Sequence, residues 1–169
     1  VFSLRLDEHG KGSLMDAIDY ISDLSEMVEL ESSDLASILY TSGTTGRSKG
    51  AMLTHGNLHS NAVALTNCWG WKNDDILLHA LPIFHVHGLF IASHCALLNG
   101  TPMIFLPKFE VNEVFERLSD CTVLMGVPTF YTRLLSLSSL TPDYVKHVRL
   151  FISGSAPLTE VTFREWKEK

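Results

Sequence analysis

The chain has 169 residues, of which 46% are hydrophobic and 19% are charged, with a formal net charge of -6 at pH 7. Such a chain is long enough and apolar enough to form a globular core. The acidic balance and the lack of a basic run argue against a nucleic-acid surface, and no unbroken apolar stretch reaches the length of a membrane span.

The cysteines are scattered along the chain and none belongs to a C-x-x-C pair: Cys68, Cys95 and Cys121. This pattern predicts free thiols in a reducing compartment, because disulfides persist in oxidising ones. We therefore expect a cytoplasmic protein or, in a eukaryote, one of an organelle matrix.

Residues 1–33 are polar, acidic and weakly patterned, which predicts an irregular connector with one short helix near residues 14–24. From residue 34 onward, apolar runs typical of strands alternate with helical patterns. The predicted strands are residues 76–81, 101–106, 122–127 and 149–153, and the predicted helices are residues 55–69, 88–98, 111–118, 129–137 and 158–169. Repeated strand–helix units predict an α/β fold, a mostly parallel sheet with helices on both faces.

Residues 41–50 read TSGTTGRSKG and lie between two extended apolar segments, LASILY and AMLT. Glycines let backbone N–H groups approach an anion, and hydroxyls with a lysine complete a cradle for phosphate oxygens. Lys49 stands three residues beyond Gly46 and is followed by Gly50, so the spacing of a Walker A loop is not met. A P-loop kinase or ATPase therefore remains only an alternative.

Further polar residues follow the predicted strands, at the sheet edge where α/β proteins bind ligands. The segment LPIFHVHG holds His85 and His87, a pair that could bind zinc but has no third ligand at suitable spacing. LPKF holds Lys108, and GVPTFYTRL holds Arg133, whose side-chain type binds a carboxylate through two parallel hydrogen bonds. The small residues of SGSAPL, residues 153–158, permit close approach of a flat ring to the backbone.

These five motifs, in this order, resemble those of the adenylate-forming enzymes: acyl-CoA synthetases, luciferases and the adenylation domains of peptide synthetases. The resemblance covers about residues 33–169 and is greatest with malonyl-CoA synthetases. It implies the large N-terminal domain of such an enzyme. It also implies ligation of a short dicarboxylic acid to coenzyme A through an acyl-adenylate, with ATP, Mg²⁺ and coenzyme A as cofactors and AMP and pyrophosphate as products.

The resemblance also implies roles for residues. Phosphate binding falls to Thr41, Ser42, Gly43, Thr44, Thr45, Gly46 and Lys49. His85 borders the acyl and adenylate site as a catalytic residue, and His87 lines an acyl pocket for a small or charged group. Lys108 approaches the phosphates of coenzyme A, Arg133 is the candidate partner of the carboxylate that does not react, and the adenine side is formed by Gly154, Ser155, Ala156 and Pro157.

The sequence departs from this family by what it does not contain. A Y-G-x-T-E segment, an R-T-G-D segment and a C-terminal domain with a reactive-site lysine are all missing from it. We therefore expect residues 34–169 to be a partial AMP-binding domain, truncated before the C-terminal lid domain and inactive alone. Two alternative functions stay open, a non-catalytic remnant or pseudoenzyme fragment and another short-chain acyl-CoA synthetase. The choice between malonate, methylmalonate and another short acid as the substrate is also open. The oligomeric state is also open.

Overall fold

The computed structural model describes residues 28–41 and 48–169. The chain divides into two units, Val1–Glu31 and Ser32–Lys169, and the second contains every helix and strand of the described residues. The short helix expected near residues 14–24 lies outside the described residues, as does the part of the TSGTTGRSKG motif at residues 42–47.

An antiparallel hairpin opens the second unit, with strands β1 (Leu35–Thr41) and β2 (Lys49–Thr54). Strand β2 leads directly into helix α1 (His55–Trp69), which confirms the helix predicted there. The Oγ1 atom of Thr54 accepts a hydrogen bond from the backbone N–H of Asn57 at 3.2 Å, and Thr54 N–H donates to Asn57 Oδ1 at 3.1 Å. This reciprocal capping box begins the helix, and Gly70 ends it in the left-handed conformation with φ 57°.

A four-stranded parallel sheet forms the centre of the unit, in the order β4-β3-β5-β6. Its strands are β3 (Leu77–His79), β4 (Met103–Phe105), β5 (Val123–Gly126) and β6 (Leu150–Ser153). This confirms the predicted α/β fold with its parallel sheet. Each strand is shorter than the apolar run that predicted it. Prolines at positions 82, 102 and 107 bound β3 and β4, because proline cannot donate to a ladder.

The connections between strands are helical. A wide π-helical segment, His87–Ser93, continues as α2 (His94–Leu98), and the later helices are α3 (Val111–Arg117), α4 (Pro128–Leu135), α5 (Pro142–Val145) and α6 (Glu160–Glu168). The sequence predicted one α-helix over residues 88–98, but its first half has π turns, and α5 was not predicted. Parallel crossovers are right-handed, so the opposite directions of β3-to-β4 and β4-to-β5 place α2 and α3 on opposite faces.

The core lies around the two central strands. Leu77, Leu78, Val123, Leu124 and Met125 are all fully buried. The three cysteines are free in the structure, and burial raises the pKa of Cys95 to about 11 and that of Cys121 to about 12. Both buried thiols are therefore protonated at neutral pH and pack as small apolar groups.

The strand order creates a crevice at one edge of the sheet. After β3 the chain moves to β4 on one side and then returns to β5 on the other side of β3. The loops that leave the carboxyl ends of β3 and β5 therefore diverge, which is the arrangement at which α/β sheets bind ligands. The loop after β6 borders the same edge because β6 pairs with β5 in parallel.

Candidate active site

A cavity of about 260 Å³ lies at the carboxyl ends of β3, β5 and β6. Its walls come from the loop after β3, the first turn of α4 and the loop after β6. The lining residues are Leu81, Pro82, His85, His87, Gly88, Val127, Phe130 and Ser155. The structure thus brings together three of the predicted site residues, His85, His87 and Ser155, from segments far apart in sequence.

His87 is the central polar residue of this cavity, with only 5% of its surface exposed. Its Nδ1 atom lies 3.0 Å from the Oγ atom of Ser155. Its ring packs on Gly154, where a Cβ atom would lie 2.9 Å from the Cε1 atom of His87. Glycine is therefore required at position 154 for the imidazole to occupy this place.

Ser155 adopts a backbone conformation that is unusual for a residue with a side chain. Its φ of 65° is the one positive φ of a non-glycine residue among residues 28–41 and 48–169. A side chain in this region is held there at a cost in free energy, and such outliers concentrate at functional sites. Here the conformation accompanies the contact of the serine hydroxyl with His87.

His85 lies at the exposed side of the cavity. Its Nδ1 atom accepts a hydrogen bond from the backbone N–H of His87 at 3.2 Å. In the neutral ring the proton is therefore on Nε2, so His85 presents an N–H donor to whatever the cavity holds. Burial lowers the pKa of His87, and electrostatic interaction with His85 and His79 lowers it further. His87 is thus mostly neutral at pH 7.

Each ring of the histidine pair uses one nitrogen for a contact within the protein. The Nδ1 atoms of His85 and His87 are both engaged within the protein, by the His87 backbone and by Ser155. Across the described ranges, no group of three or more His, Cys, Asp or Glu side chains is arranged to hold a metal ion.

Lys108 and Arg133 lie on the surface beside the cavity and do not line it. Lys108 pairs with Glu110 at 2.8 Å, both side chains being mostly exposed, and this hydrogen bond raises the pKa of Lys108. The guanidinium carbon of Arg133 lies 6.0 Å from the centroid of the Phe109 ring. Phe109 stacks on Phe130 at 3.8 Å, and Phe130 lines the cavity. Arg133 is thus separated from the cavity by two stacked rings.

The described ends of the phosphate loop lie in register at the base of the hairpin, where Thr41 pairs with Lys49. Lys49 is exposed and is the first residue of β2, which accords with the expectation that the loop joins two extended segments. A second cavity of about 260 Å³ joins the end of β2 to the histidine loop, and its lining residues are Leu53, Asn57, Leu58, Asn61, Val86, Phe90 and Ile91. The hairpin and the candidate site are therefore neighbours.

The loop after β6 is tied to the sheet at Gly154 and is exposed from Ser155 to Pro157. Gly154 N–H donates to the carbonyl of Gly126 at 3.0 Å, which ties the loop to the end of β5. Ser155, Ala156 and Pro157 are exposed. The predicted contact of these residues with adenine stays a prediction.

Two residues near the site were missed by sequence reasoning: His79, in the buried run ILLHAL, and Ser93, in the following helix. His79 is completely buried, and its Nε2 atom lies 2.9 Å from the carbonyl oxygen of Gly88. The available signal was a histidine within an otherwise apolar strand, since a buried imidazole requires a hydrogen-bond partner.

Comparison with known proteins shows the family to which this chain is similar. A family model described as AMP-binding enzyme matches residues 4–169. The human protein named malonate–CoA ligase ACSF3, mitochondrial, is 39% identical over 148 residues, which cover 78% of this chain and 26% of that protein. The chain therefore spans about a quarter of the length of this relative.

Solved structures give the same picture. The crystal structure of ATP-bound MatB from Rhodopseudomonas palustris is 54% identical, with a TM-score of 0.90 over 97% of this chain and 33% of that one. A malonyl-CoA ligase in a ternary product complex with methylmalonyl-CoA and AMP is 36% identical, with a TM-score of 0.73 over 80% of this chain and 30% of the other. No helix in the described ranges is long and apolar enough to cross a membrane.

Proposed function

Because the chain belongs to the family of AMP-binding enzymes, we propose that the whole protein ligates malonate or methylmalonate to coenzyme A. The observation that carries this proposal is the small cavity in which His87, His85 and Ser155 place polar atoms among apolar walls. A volume of about 260 Å³ suits a short acid, and the imidazole wall suits a polar one. The identity to proteins named malonate–CoA ligases supports the same choice.

The proposed reaction has two steps. An oxygen of the substrate carboxylate attacks the α-phosphorus of ATP, so that a C–O–P linkage forms and the bond to pyrophosphate breaks. The sulfur of coenzyme A, having lost its proton, then attacks the acyl carbon, and AMP leaves with the bridging oxygen. The donors proposed to hold the phosphates are Thr41, Ser42, Gly43, Thr44, Thr45, Gly46 and Lys49. They would stabilise charge on the departing pyrophosphate.

His85 is proposed as the residue that borders both acid and adenylate. Its Nδ1 accepts from the His87 backbone, which leaves an Nε2–H donor for an anionic oxygen. A donor at this point would orient the reacting carboxylate and stabilise the charge that develops during its attack. The adenine side is proposed to be formed by Gly154, Ser155, Ala156 and Pro157, whose small side chains leave an open surface after β6.

Arg133 is proposed to bind the carboxylate that does not react. It follows Phe130 by three residues on α4, so the two side chains leave the helix on one face, and Phe130 lines the cavity. A rotation of the flexible arginine side chain from the Phe109 ring would bring two parallel donors toward the cavity. Lys108, which follows β4, is proposed to approach coenzyme A.

The lining of the cavity contains no aspartate or glutamate. The described site therefore offers no carboxylate ligand for Mg²⁺, and this ion is proposed only as the partner of the ATP phosphates. We place the protein in the cytoplasm or an organelle matrix, which the three free cysteines support.

The test is to incubate the full-length protein with ATP, coenzyme A and malonate, methylmalonate or acetate, and to measure the nucleotide and thioester products. We expect AMP, pyrophosphate and a malonyl or methylmalonyl thioester, with acetate a poor substrate. Production of ADP would favour the P-loop kinase or ATPase. Acetate or butyrate used as well as malonate would indicate another short-chain acyl-CoA synthetase. A full-length protein that neither exchanges pyrophosphate into ATP nor forms a thioester would be a non-catalytic remnant.

A further inference from the structure

The backbone that carries His87 is fixed at the next residue, Gly88. A Cβ atom at position 88 would lie 2.4 Å from the carbonyl oxygen of Pro82, so only glycine fits beside this loop. The carbonyl oxygen of Gly88 accepts a hydrogen bond from the Oγ atom of Ser93 at 2.9 Å. The same oxygen lies 2.9 Å from the Nε2 atom of His79. The backbone of Gly88, the residue after His87, is thus held by a steric contact and by two hydrogen bonds.

The contact with Gly88 decides which nitrogen of His79 carries the proton. A carbonyl oxygen only accepts, so Nε2 must be the protonated donor. The Nδ1 atom of His79 then faces the interior as an acceptor, and it has no hydrogen-bond partner among the described residues. Leaving a buried acceptor unpaired costs free energy. An aliphatic side chain in this central strand would avoid that cost, so packing alone does not explain the histidine.

Both donors act where the helix departs from the α conformation. The π-helical segment begins at His87 and ends at Ser93. Such wide turns are rare and often mark functional sites. The Nε2–H of His79 and the hydroxyl of Ser93 both bond a carbonyl within this segment, on the turn that delivers the His87 ring to Ser155 and Gly154.

We propose that His79 is a positioning residue for acid selectivity. By holding the Gly88 carbonyl, together with Ser93, it fixes the wide first turn and so directs the His87 imidazole into the cavity. This inference rests on the proposed function, because it takes His87 to be the residue that selects a short polar acid. His79 itself does not line the cavity, and it acts through the backbone of Gly88.

The experiment compares two amide replacements of His79 in the full-length protein. In His79→Gln the amide nitrogen lies as many bonds from Cβ as Nε2 does, so the donor to Gly88 is kept. In His79→Asn the amide is one bond shorter and falls short of that oxygen. We expect His79→Gln to keep the malonate KM within about threefold and His79→Asn to raise it about tenfold, the effect of one lost charge-free hydrogen bond. The KM for ATP stays within about twofold in both variants.

Val114→Ala is the matched control, because Val114 is fully buried in α3, which lies on the face of the sheet opposite to α2. It should lower the melting temperature and leave the malonate KM unchanged. If His79→Asn does not fold, Ser93→Ala removes the second donor to the same oxygen and should also raise the malonate KM. Equal malonate KM values for His79→Gln and His79→Asn, or an unchanged value in Ser93→Ala, would overturn the proposal.

A readout that does not need turnover separates this inference from the proposed function. Ring ¹H–¹⁵N spectra of the full-length protein should show His79 protonated at Nε2, and the His87 resonances should move in His79→Asn but not in His79→Gln. Spectra that behave in this way in a protein that does not ligate malonate would reject the proposed function and retain the positioning role. Unmoved His87 resonances in His79→Asn would reject the positioning role alone.

Discussion

Arg133 is the residue whose observed place differs most from its proposed task. Its side chain is exposed and rests against Phe109, two stacked rings away from the cavity that holds His87. An arginine at the surface keeps its rotamer freedom, so fixing it on a carboxylate costs up to about 2 kcal/mol of side-chain entropy. The gain is a pair of charged hydrogen bonds to a group that would otherwise be buried without a partner.

We expect Arg133→Leu in the full-length protein to raise the malonate KM by about ten- to a hundredfold, the value of hydrogen bonds to a charged group. The KM for ATP and that for monocarboxylates such as butyrate should change little. Steady-state kinetics with each acid measure this. The control is Arg117→Leu, an exposed arginine on α3 paired with Asp120 at 3.4 Å. If malonate and acetate are affected alike by Arg133→Leu, the arginine supports the fold and selectivity must come from His87.

At the scale of elements, one carboxylate ties together the amino ends of three strands. Asp75 precedes β3 and is 1% exposed. It accepts hydrogen bonds from Thr122 Oγ1 before β5 at 2.8 Å, from Arg149 Nε before β6 at 2.7 Å, and from the Lys72 backbone at 2.7 Å. These contacts lie at the opposite edge of the sheet from the cavity. They hold the parallel strands in register and thereby keep the loops of the site together.

We expect Asp75→Asn to lower the free energy of unfolding by about 3 kcal/mol, the lower end for breaking a buried pair, because Arg149 keeps some contact with water. Burial raises the pKa of Asp75, but hydrogen bonds from Arg149, the Lys72 backbone and Thr122 outweigh it, so the pKa of Asp75 lies below its ordinary value. Because the pKa of Asp75 is lower in the folded state, the ionised carboxylate stabilises the protein at pH values above the pKa of Asp75 in the unfolded chain. The contribution is lost as pH falls below about 3.9 toward the folded-state pKa.

Denaturant unfolding at pH 7 and at pH 3 measures this effect. The stability difference between the native protein and Asp75→Asn should be smaller at pH 3. Asp143→Asn is the control, because Asp143 is exposed and pairs with Lys146 at 3.6 Å, so its replacement should cost less than about 1 kcal/mol. A difference for Asp75→Asn that grows on acidification would contradict the assigned pKa direction.

At the scale of the whole molecule, two exposed lysines are proposed to serve different steps of the reaction. Lys49 begins β2 at the base of the phosphate loop, and Lys108 follows β4 at the edge of the parallel sheet. Neither is part of the core, so removing either leaves no cavity. The proposed mechanism assigns the first to adenylation and the second to coenzyme A.

We expect Lys49→Ala, like Thr44→Ala, to slow pyrophosphate exchange by about tenfold or more through loss of a phosphate donor. Lys108→Ala should spare this half-reaction and slow thioester formation. The two lysine variants serve as controls for each other, and their melting temperatures should match that of the native protein. If Lys108→Ala reduces both half-reactions equally, Lys108 has no special role with coenzyme A.

Much of the architecture follows from local sequence patterns. The helix at His55–Trp69 was predicted because Leu58, Ala62, Leu65 and Trp69 repeat at helical spacing. Its start and end signals also lie next to it in the chain, at Thr54 and Gly70. The π turns of His87–Ser93 were not predicted, since their apolar pattern reads as an ordinary helix and the partners that stabilise them lie partly on β3. The sequence predicted that the polar residues lie at one edge of the sheet. It did not predict which of them line the cavity.

The sequence by itself determined the alternation of strands and helices, the phosphate-loop motif between two extended segments and membership of the AMP-binding enzyme family. Only the tertiary structure decided which side chains meet: His87 with Ser155, 68 residues apart, and Asp75 with Arg149, 74 residues apart. Periodicity and capping are encoded by residues within a few positions of each other. Contacts across the sheet depend instead on strand order and crossover direction, which no local pattern specifies.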